Sequence, residues 1–144
     1  MTADDPPPLP PPPHRIVNPE GLGPPAGFSH VVVPVAGTTI YLAGQTAHGP
    51  DGELPGEDIV TQFDTAAAHV ITALRSAGAE PEHLVSMQIF TTDLAGYLEA
   101  SKPIGEAYRR HFGKHFAAKA LIEVKGLVGR AKVELVCVAV IPAG

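Results

Sequence analysis

Two charged residues interrupt apolar segments near the end of the chain. Glu134 lies in the run VELVCVAVI and Lys119 in the run AKALIEV. A carboxylate or an ammonium group in an apolar strand costs free energy unless it is paired, hydrogen-bonded or exposed in a wet cleft. Both residues are therefore candidates for a polar cleft or for an ion pair. The structural alternative is a Lys119–Glu134 contact at a sheet rim, in a hairpin whose turn lies near residues 126–130.

Other candidate sites are weak. The sequence contains no GxGxxG, Walker, GxSxG or HExxH motif. His111 and His115 have a spacing of four residues, but Gly113 lies between them and a third ligand is missing, so a surface role is favoured over a metal site. Cys137, the single cysteine, is interpreted as a small buried apolar side chain in a reducing compartment. We expect neither a metal nor a cofactor.

Composition narrows the class of protein. The chain has 144 residues, 44% hydrophobic and 17% charged, with a formal net charge of -5. These values predict one globular domain and disfavour nucleic acid as a partner, because an acidic surface repels phosphates. No segment approaches the roughly 20 apolar residues that cross a bilayer, and the N-terminus does not resemble a signal peptide. We expect a soluble, cytoplasmic protein.

The N-terminal segment differs from the rest of the chain. Residues 1–15 include seven prolines between Pro6 and Pro13, and proline fixes φ and removes a hydrogen-bond donor. We predict a disordered tail over residues 1–15 and one domain over residues 16–144. The PxxP spacing in the tail leaves open an SH3 or WW ligand, although a solvated tail is the simpler interpretation.

The remaining pattern predicts the elements that position Lys119 and Glu134. Proline is tolerated only in the first turn of a helix, so the second helix is expected to begin near Lys102 rather than at Leu94. The order ββ–α–β–α–ββ predicts an α+β domain with two helices on one face of a sheet. The predicted strands cover residues 30–36, 38–43, 84–92, 118–125 and 131–141, and the predicted helices residues 58–77 and 102–112.

The last predicted strand is apolar on both faces. Alternation places Val133, Leu135, Cys137, Ala139 and Ile141 on one face and Val136, Val138 and Val140 on the other. A strand that is apolar on both faces is normally buried on both faces. Since helices cover only one face of the predicted sheet, the other face predicts an oligomer.

A series of short motifs, in order and spacing, resembles the YjgF/RidA family over residues 16–141. That family typically reads N-P, G-P-Y-S-Q, S-G-Q, P-A-R-S-x-V-x-V and V-E-I-E-x-I-A. The corresponding segments here are NP at 18–19, AGFSH at 26–30, AGQ at 43–45, AAKALIEV at 117–124 and VELVCVA at 133–139.

The resemblance implies a chorismate-mutase-like fold and a homotrimer with a barrel-like centre and ligand clefts between subunits. It also implies hydrolysis of reactive enamines or imines, such as 2-aminoacrylate, to a 2-keto acid and ammonia. By the same resemblance Glu134 is the catalytic residue. The substrate-binding residues would be Lys119, Phe28, Ala43, Gly44, Ala120 and Leu121.

Three departures from the family pattern make the expected cleft less polar. Lys119 replaces an arginine and loses its planar pair of donors. Phe28 replaces a tyrosine and Ala43 a serine, so two hydroxyls are lost. One hypothesis is a deaminase with altered substrate preference. The other is a non-catalytic, small-molecule-binding or regulatory trimer that uses the same cleft. RNA cleavage is disfavoured because no basic stripe or stacking platform is evident.

Overall fold

The fold is described by a computed structural model that covers residues 10–144. Residues 1–9, where most of the predicted tail lies, are outside the described part of the chain. The strands are β1 (Arg15–Val17), β2 (Val31–Val33), β3 (Gly37–Tyr41), β4 (Leu84–Thr91), β5 (Ala118–Glu123) and β6 (Val133–Pro142), and the helices are α1 (Ile59–Ser76), α2 (Leu94–Glu99) and α3 (Ser101–Phe112).

The main sheet has four strands in the order β3-β6-β4-β5. β6 runs antiparallel to both β3 and β4, whereas β4 and β5 are parallel. The two longer helices, α1 and α3, pack against each other and against one face of this mixed sheet. The predicted α+β class, with two main helices on one face, is confirmed.

α1 forms where the apolar periodicity predicts it. The side chain of Asp58 accepts a hydrogen bond from the Thr61 amide and so caps the first turn. Gly78 follows the helix with φ of +80°, a conformation that side chains disfavour, and it ends the helix. The face toward the sheet is fully buried and consists of Phe63, Ala66, Ala67, Val70 and Leu74.

The predicted hairpin between the last two strands is wrong. After β4, helices α2 and α3 carry the chain back to the start of that strand. Strand β5 then runs parallel to β4 and pairs with one of its edges. Residues 124–132 then carry the chain past the end of β4, and β6 pairs with the opposite edge. A parallel pair requires a long crossover, which the helices provide. Strand β4 therefore separates β5 from β6.

The second helical region contains a helix that the sequence interpretation omitted. α3 begins at Ser101 and holds Pro103 in its first turn, close to the predicted start at Lys102. A separate short helix, α2, precedes it, because the Asp93 side chain accepts a hydrogen bond from the Gly96 amide and caps a new first turn. Pro103 thus sets the start of α3 but does not exclude a helix at Leu94.

The N-terminal strands form a small sheet of their own. β1 pairs with β2, so the predicted strand 30–36 is shortened and does not join the main sheet. His14 is buried, its Nε2 lies 3.0 Å from the Val140 carbonyl oxygen, and its Nδ1 accepts a hydrogen bond from the Val35 amide. His14 and Arg15, which the prediction placed in the tail, therefore belong to the fold.

The two faces of β6 differ in their cover over residues 133–139, as alternation predicts, whereas Val140 is buried although alternation places it on the other face. Val133, Leu135, Cys137 and Ala139 are buried beneath the helices. Val136 and Val138 lie on the other face, which we call the open face, and both are partly exposed. The neighbouring Tyr41 on this face is 81% exposed. No helix within residues 10–144 is long and apolar enough to cross a membrane.

Candidate ligand-binding cleft

A cleft of about 570 Å³ opens beside α3 and the outer edge of the sheet. Its wall combines backbone from the loop at Ala26 and Gly27 with residues of α2, α3 and β5. Two cationic side chains, Lys119 and Arg109, also line it. The aromatic members of the wall are Phe28, Phe63, Tyr97, Tyr108 and Phe116.

Lys119 points from β5 toward the helices. It aligns with Met87 on β4, which in turn aligns with Cys137 on β6, and both of these are buried under the helices. The Lys119 Nζ donates a hydrogen bond of 2.6 Å to the Gly27 carbonyl oxygen. The same nitrogen lies 3.5 Å from the centroid of the Tyr108 ring, a cation–π distance.

Burial alters the titration of this amine. Loss of hydration lowers the pKa of Lys119 to about 7, and the nearby Cys137 opposes this shift. Among residues 10–144, no carboxylate forms an ion pair with Lys119. The lowered pKa favours the uncharged amine more than in an exposed lysine, which weakens a purely electrostatic interaction with an anion.

The aromatic surface beneath Lys119 is fixed in place. The Tyr108 hydroxyl donates a hydrogen bond to the His115 carbonyl oxygen. Phe116 stacks on the Tyr108 ring with a centroid separation of 5.6 Å and an interplanar angle of 9°. Burial raises the pKa of Tyr108 far above its usual value, so its hydroxyl stays protonated and keeps this bond. The rings form a rigid, apolar floor for a ligand.

Arg109 is a charged cleft residue that sequence reasoning missed, as it missed the aromatic residues Tyr108 and Phe116. Arg109 follows Tyr108 in α3, is exposed, and forms no ion pair within the described chain. The adjacent Arg110 instead bonds to Asp64 at 3.1 Å. Two consecutive arginines look equivalent in the sequence, and only the rotation of α3 separates a cleft residue from a paired surface residue. A guanidinium group can bind a carboxylate through two parallel donors.

Glu134 lies on the open face, away from this cleft. It aligns with Phe90 of β4, whose neighbours Ile89 and Thr91 face the helices. Its carboxyl group packs against the backbone of Gly44, where an added Cβ would lie 2.8 Å from the carboxyl carbon. An alanine at position 44 would therefore force the carboxyl end of the Glu134 side chain to move.

A bulge beside Gly44 sets this contact. The Leu42 amide donates to the Cys137 carbonyl, and the Gln45 amide to the Leu135 carbonyl. Between these two hydrogen bonds the chain advances three residues from Leu42 to Gln45, but only two from Leu135 to Cys137. One extra residue is therefore accommodated near Ala43 and Gly44, as in a β-bulge. Bulges of this kind re-aim the local backbone at the edges of sheets.

The predicted site residues consequently fall into two groups. Phe28, Lys119, Ala120 and Leu121 line the cleft. Gly44 and Glu134 touch each other, and Ala43 precedes Gly44 in the bulge. The alternative Lys119–Glu134 contact does not form, because β4 lies between their strands and the two residues occupy opposite faces.

The other titratable candidates have structural partners. The His111 Nε2 bonds to Asp64 at 2.8 Å, while the buried His115 Nε2 bonds to the Leu84 carbonyl. No group of three or more potential metal ligands occurs in the part of the chain that the structure describes. Cys137 is 1% exposed, and burial raises the pKa of its thiol to about 12. The interpretation of Cys137 as a buried apolar side chain is confirmed.

The fold and the cleft together define a small α+β domain with an amphipathic cleft at the sheet edge. Residues 20–141 match the family model described as Endoribonuclease L-PSP. The chain therefore belongs to this family, which is the YjgF/RidA family, and it has the family's chorismate-mutase-like fold.

Individual relatives agree with this assignment. The chain is 30% identical to the Protein DfrA of Myxococcus xanthus over 128 residues, 88% of this chain and 92% of that protein. It is 24% identical over 103 residues to the human 2-iminobutanoate/2-iminopropanoate deaminase, covering 71% and 72% of the two chains. The solved structure of YyfB, a protein of unknown function of the Rid family from Yersinia pestis, superimposes with a TM-score of 0.80 at 29% identity, covering 90% and 99%.

Proposed function

We propose that this protein hydrolyses reactive imines or enamines of 2-amino acids to 2-oxo acids and ammonia, with a preference for apolar side chains. The observation that carries the proposal is the cleft itself, in which an amine and a guanidinium group line an aromatic pocket. The human relative named as a 2-iminobutanoate/2-iminopropanoate deaminase supports the type of reaction.

The cleft suggests how a 2-imino acid would bind. Arg109 presents a guanidinium group and forms no ion pair within the described chain, so it is suited to hold the substrate carboxylate. Lys119 would then lie beside the C2 atom of the substrate. The rings of Phe28, Tyr108 and Phe116 provide an apolar wall for the side chain.

The position of Glu134 requires a second subunit. One subunit cannot bring Glu134 and Lys119 to the same small ligand, because they project from opposite faces of the sheet. Apolar residues such as Val136 and Val138 on the open face favour association with another copy. We therefore propose a homotrimer with a barrel-like centre, in which Glu134 of one subunit activates water at the cleft of its neighbour.

The altered residues favour larger, less polar substrates than 2-iminobutanoate. Phe28 presents a ring without a hydroxyl group, and it packs edge-on against His30 at 5.0 Å. Since an apolar pocket gains free energy with each buried CH₂ group, about 0.8 kcal/mol, an aromatic imino acid should be turned over more efficiently than a short one.

Ammonia release tests the proposal. An amino-acid oxidase would generate 2-iminobutanoate and 2-imino-3-phenylpropanoate in situ, and 2-aminoacrylate would be generated separately. The wild type should accelerate ammonia release, with the largest effect for the phenyl substrate. Glu134→Ala should lose about 100-fold or more of this activity, the typical contribution of a general base. Glu57→Ala, which removes an exposed carboxylate, should retain it.

The same experiment distinguishes the deaminase from the second candidate function, which is a ligand-binding or regulatory trimer without turnover. The lost hydroxyls at Phe28 and Ala43 favour that alternative, because a less polar cleft still binds but has fewer groups to activate water. Calorimetric binding of 2-oxo-3-phenylpropanoate by an assembled protein that accelerates none of the three substrates would replace the deaminase proposal by the binding one.

A further inference from the structure

The amine of Lys119 is held in position but is not neutralised by an acidic partner. Its Nζ is fixed by the Gly27 carbonyl at 2.6 Å and by the Tyr108 ring at 3.5 Å. Both contacts lie on the wall of the cleft, and no carboxylate within residues 10–144 pairs with it. An amine in such a place can react as a nucleophile as well as bind as a cation.

Arg109 lines the same cleft and is free to bind a carboxylate. Lys119 is therefore not needed for binding that carboxylate. A guanidinium group cannot act as a nucleophile at neutral pH, whereas a lysine amine can when it loses its proton. The cleft thus separates a permanent anion-binding group from a group that can form a covalent bond.

We propose that Lys119 forms a Schiff base with C2 of a 2-imino acid or 2-oxo acid whose carboxylate is held by Arg109. This inference rests on the proposed imine hydrolysis and assigns a covalent route to it. The chemical class of ligand is a 2-imino or 2-oxo acid with an apolar, preferably aromatic, side chain.

The chemistry balances without a cofactor. The unprotonated Nζ of Lys119 adds to C2 of the imino acid, and the imine nitrogen takes up a proton. The resulting geminal diamine expels ammonia and leaves a C2–Nζ double bond. Water then adds to C2, the C2–Nζ bond breaks, and the 2-oxo acid leaves with the free amine restored. The sum is imino acid plus water giving oxo acid plus ammonia.

The surroundings of Lys119 support the reactive form. Burial lowers the pKa of this amine to about 7. The titratable groups that face it are Tyr108 and Arg109 of α3, Cys137 of β6 and His115 before β5, and burial keeps Tyr108, Cys137 and His115 in their neutral forms. Since none of these supplies a negative charge near neutral pH, the proton on Lys119 is not stabilised by an anion.

Reductive trapping tests this inference. The full-length protein would be incubated at pH 7 with 2-oxo-3-phenylpropanoate and cyanoborohydride, and the adduct would be located by peptide mass spectrometry. Lys119 should be modified at least ten-fold faster than the exposed Lys114, because an ordinary lysine at this pH is unprotonated in under about one molecule in a thousand. Modification at Lys119 should rise with a midpoint near pH 7.

Three variants refine the test. Lys119→Arg keeps a cation but should abolish the adduct and slow ammonia release, while Lys114→Met should change neither. Arg109→Gln should reduce trapping of the oxo acid at least ten-fold yet leave trapping of phenylacetaldehyde, which has no carboxylate, almost unchanged.

The outcomes distinguish the two proposals. Accelerated ammonia release without any adduct at Lys119 overturns the covalent route and leaves the proposed hydrolysis standing. An adduct specific to Lys119, in a protein that releases no ammonia, supports the Schiff base and overturns the proposed hydrolysis. An adduct distributed equally over Lys119 and Lys114 also overturns the covalent route.

Discussion

Lys119 and Glu134 project from opposite faces of one sheet, with strand β4 between their own strands. Residues aligned across neighbouring strands share a face, so Lys119 shares the buried face of Met87 and Cys137, and Glu134 shares the open face of Phe90. The sheet itself prevents both side chains of one subunit from reaching the same small ligand. The proposed hydrolysis would therefore require residues from two subunits.

Subunit complementation tests this arrangement. We expect Lys119→Met and Glu134→Ala each to be inactive alone, and their co-assembly to restore activity. With random assembly of equal amounts, about one quarter of the sites would contain both intact residues, because about three quarters of the trimers are mixed and each of those has one such site in three. Ammonia release by purified mixed trimers provides the measurement.

The proposal would be contradicted if mixed trimers released ammonia no faster than the single variants. Either one subunit would then supply both residues, or one of the two residues would have no role in the reaction. Each variant taken alone through the same assembly procedure controls for any effect of the procedure on activity.

Gly44→Ala tests the role of the Glu134 carboxylate without removing it. The new Cβ would lie 2.8 Å from the carboxyl carbon, so the flexible end of the Glu134 side chain must move. Stability should change little, because a side-chain end can yield, but activity should fall about ten-fold or more if the carboxylate positions water. Chemical denaturation and ammonia release measured side by side would show this difference. Unaltered activity would show that the Gly44–Glu134 contact does not contribute to catalysis.

Val138→Glu tests the proposed trimer. Val138 lies on the open face beside Tyr41, and a charge there cannot be buried against another subunit without a large desolvation cost. We expect sedimentation to show loss of the trimer. Thr72→Glu, on the exposed side of α1, introduces the same charge and should leave the assembly intact. An intact trimer in Val138→Glu would mean that the open face does not form the interface.

Lys119→Met should stabilise the protein at neutral pH. The folded-state pKa of Lys119 is about 7 and lies below that of an unfolded lysine, so between these values the unfolded state binds an extra proton. Wild-type stability therefore rises with pH from about 7 toward 10 as this cost is relieved. We expect the variant to gain at least about 1 kcal/mol at pH 7, since one pKa unit corresponds to about 1.4 kcal/mol.

The gain should shrink as the pH approaches 10, when the unfolded chain also begins to lose its proton. Urea denaturation across this range, with Lys114→Met as the exposed control, provides the measurement. A difference that is independent of pH would indicate that side-chain packing, and not the ionisation of Lys119, causes the effect.

Gln62→Leu should destabilise the fold without a direct effect on the cleft. The buried Gln62 amide donates to the Gly56 carbonyl at 2.7 Å and accepts from the Lys132 amide at 2.8 Å. Leucine leaves both backbone groups without these partners, and each orphaned group costs about 1–3 kcal/mol. Thermal and chemical denaturation would report the loss. An unchanged stability would show that water replaces both bonds.

The sequence determined the elements whose periodicity agrees with their caps. α1 is an example, because its apolar spacing, Asp58 and Gly78 all predict the same helix. Over residues 133–139 the alternation in β6 likewise predicted which residues face the helices and which face outward. The order of the predicted strands and helices indicated the α+β class, which the mixed sheet and its two main helices confirm, and the family motifs indicated the family that the match over residues 20–141 shows.

Only the tertiary structure decided how the strands are ordered. A short link between two apolar strands predicts a hairpin, but the parallel return of the chain through α3 had already placed β5 on the edge of β4. Strand order depends on contacts that are distant in the sequence, so local spacing cannot encode it.

For the candidate site residues too, the sequence predicted one part and the tertiary structure decided the other. The sequence identified Lys119 and Glu134 from the cost of placing charges in apolar strands, but not that β4 separates their strands or that Lys119 projects toward the helices. Nor could it distinguish Arg109 from Arg110, since a rotation of about 100° per residue along α3 places one in the cleft and the other beside Asp64. Residue types are local properties, whereas the partners of a side chain depend on the packing of α3 against the sheet.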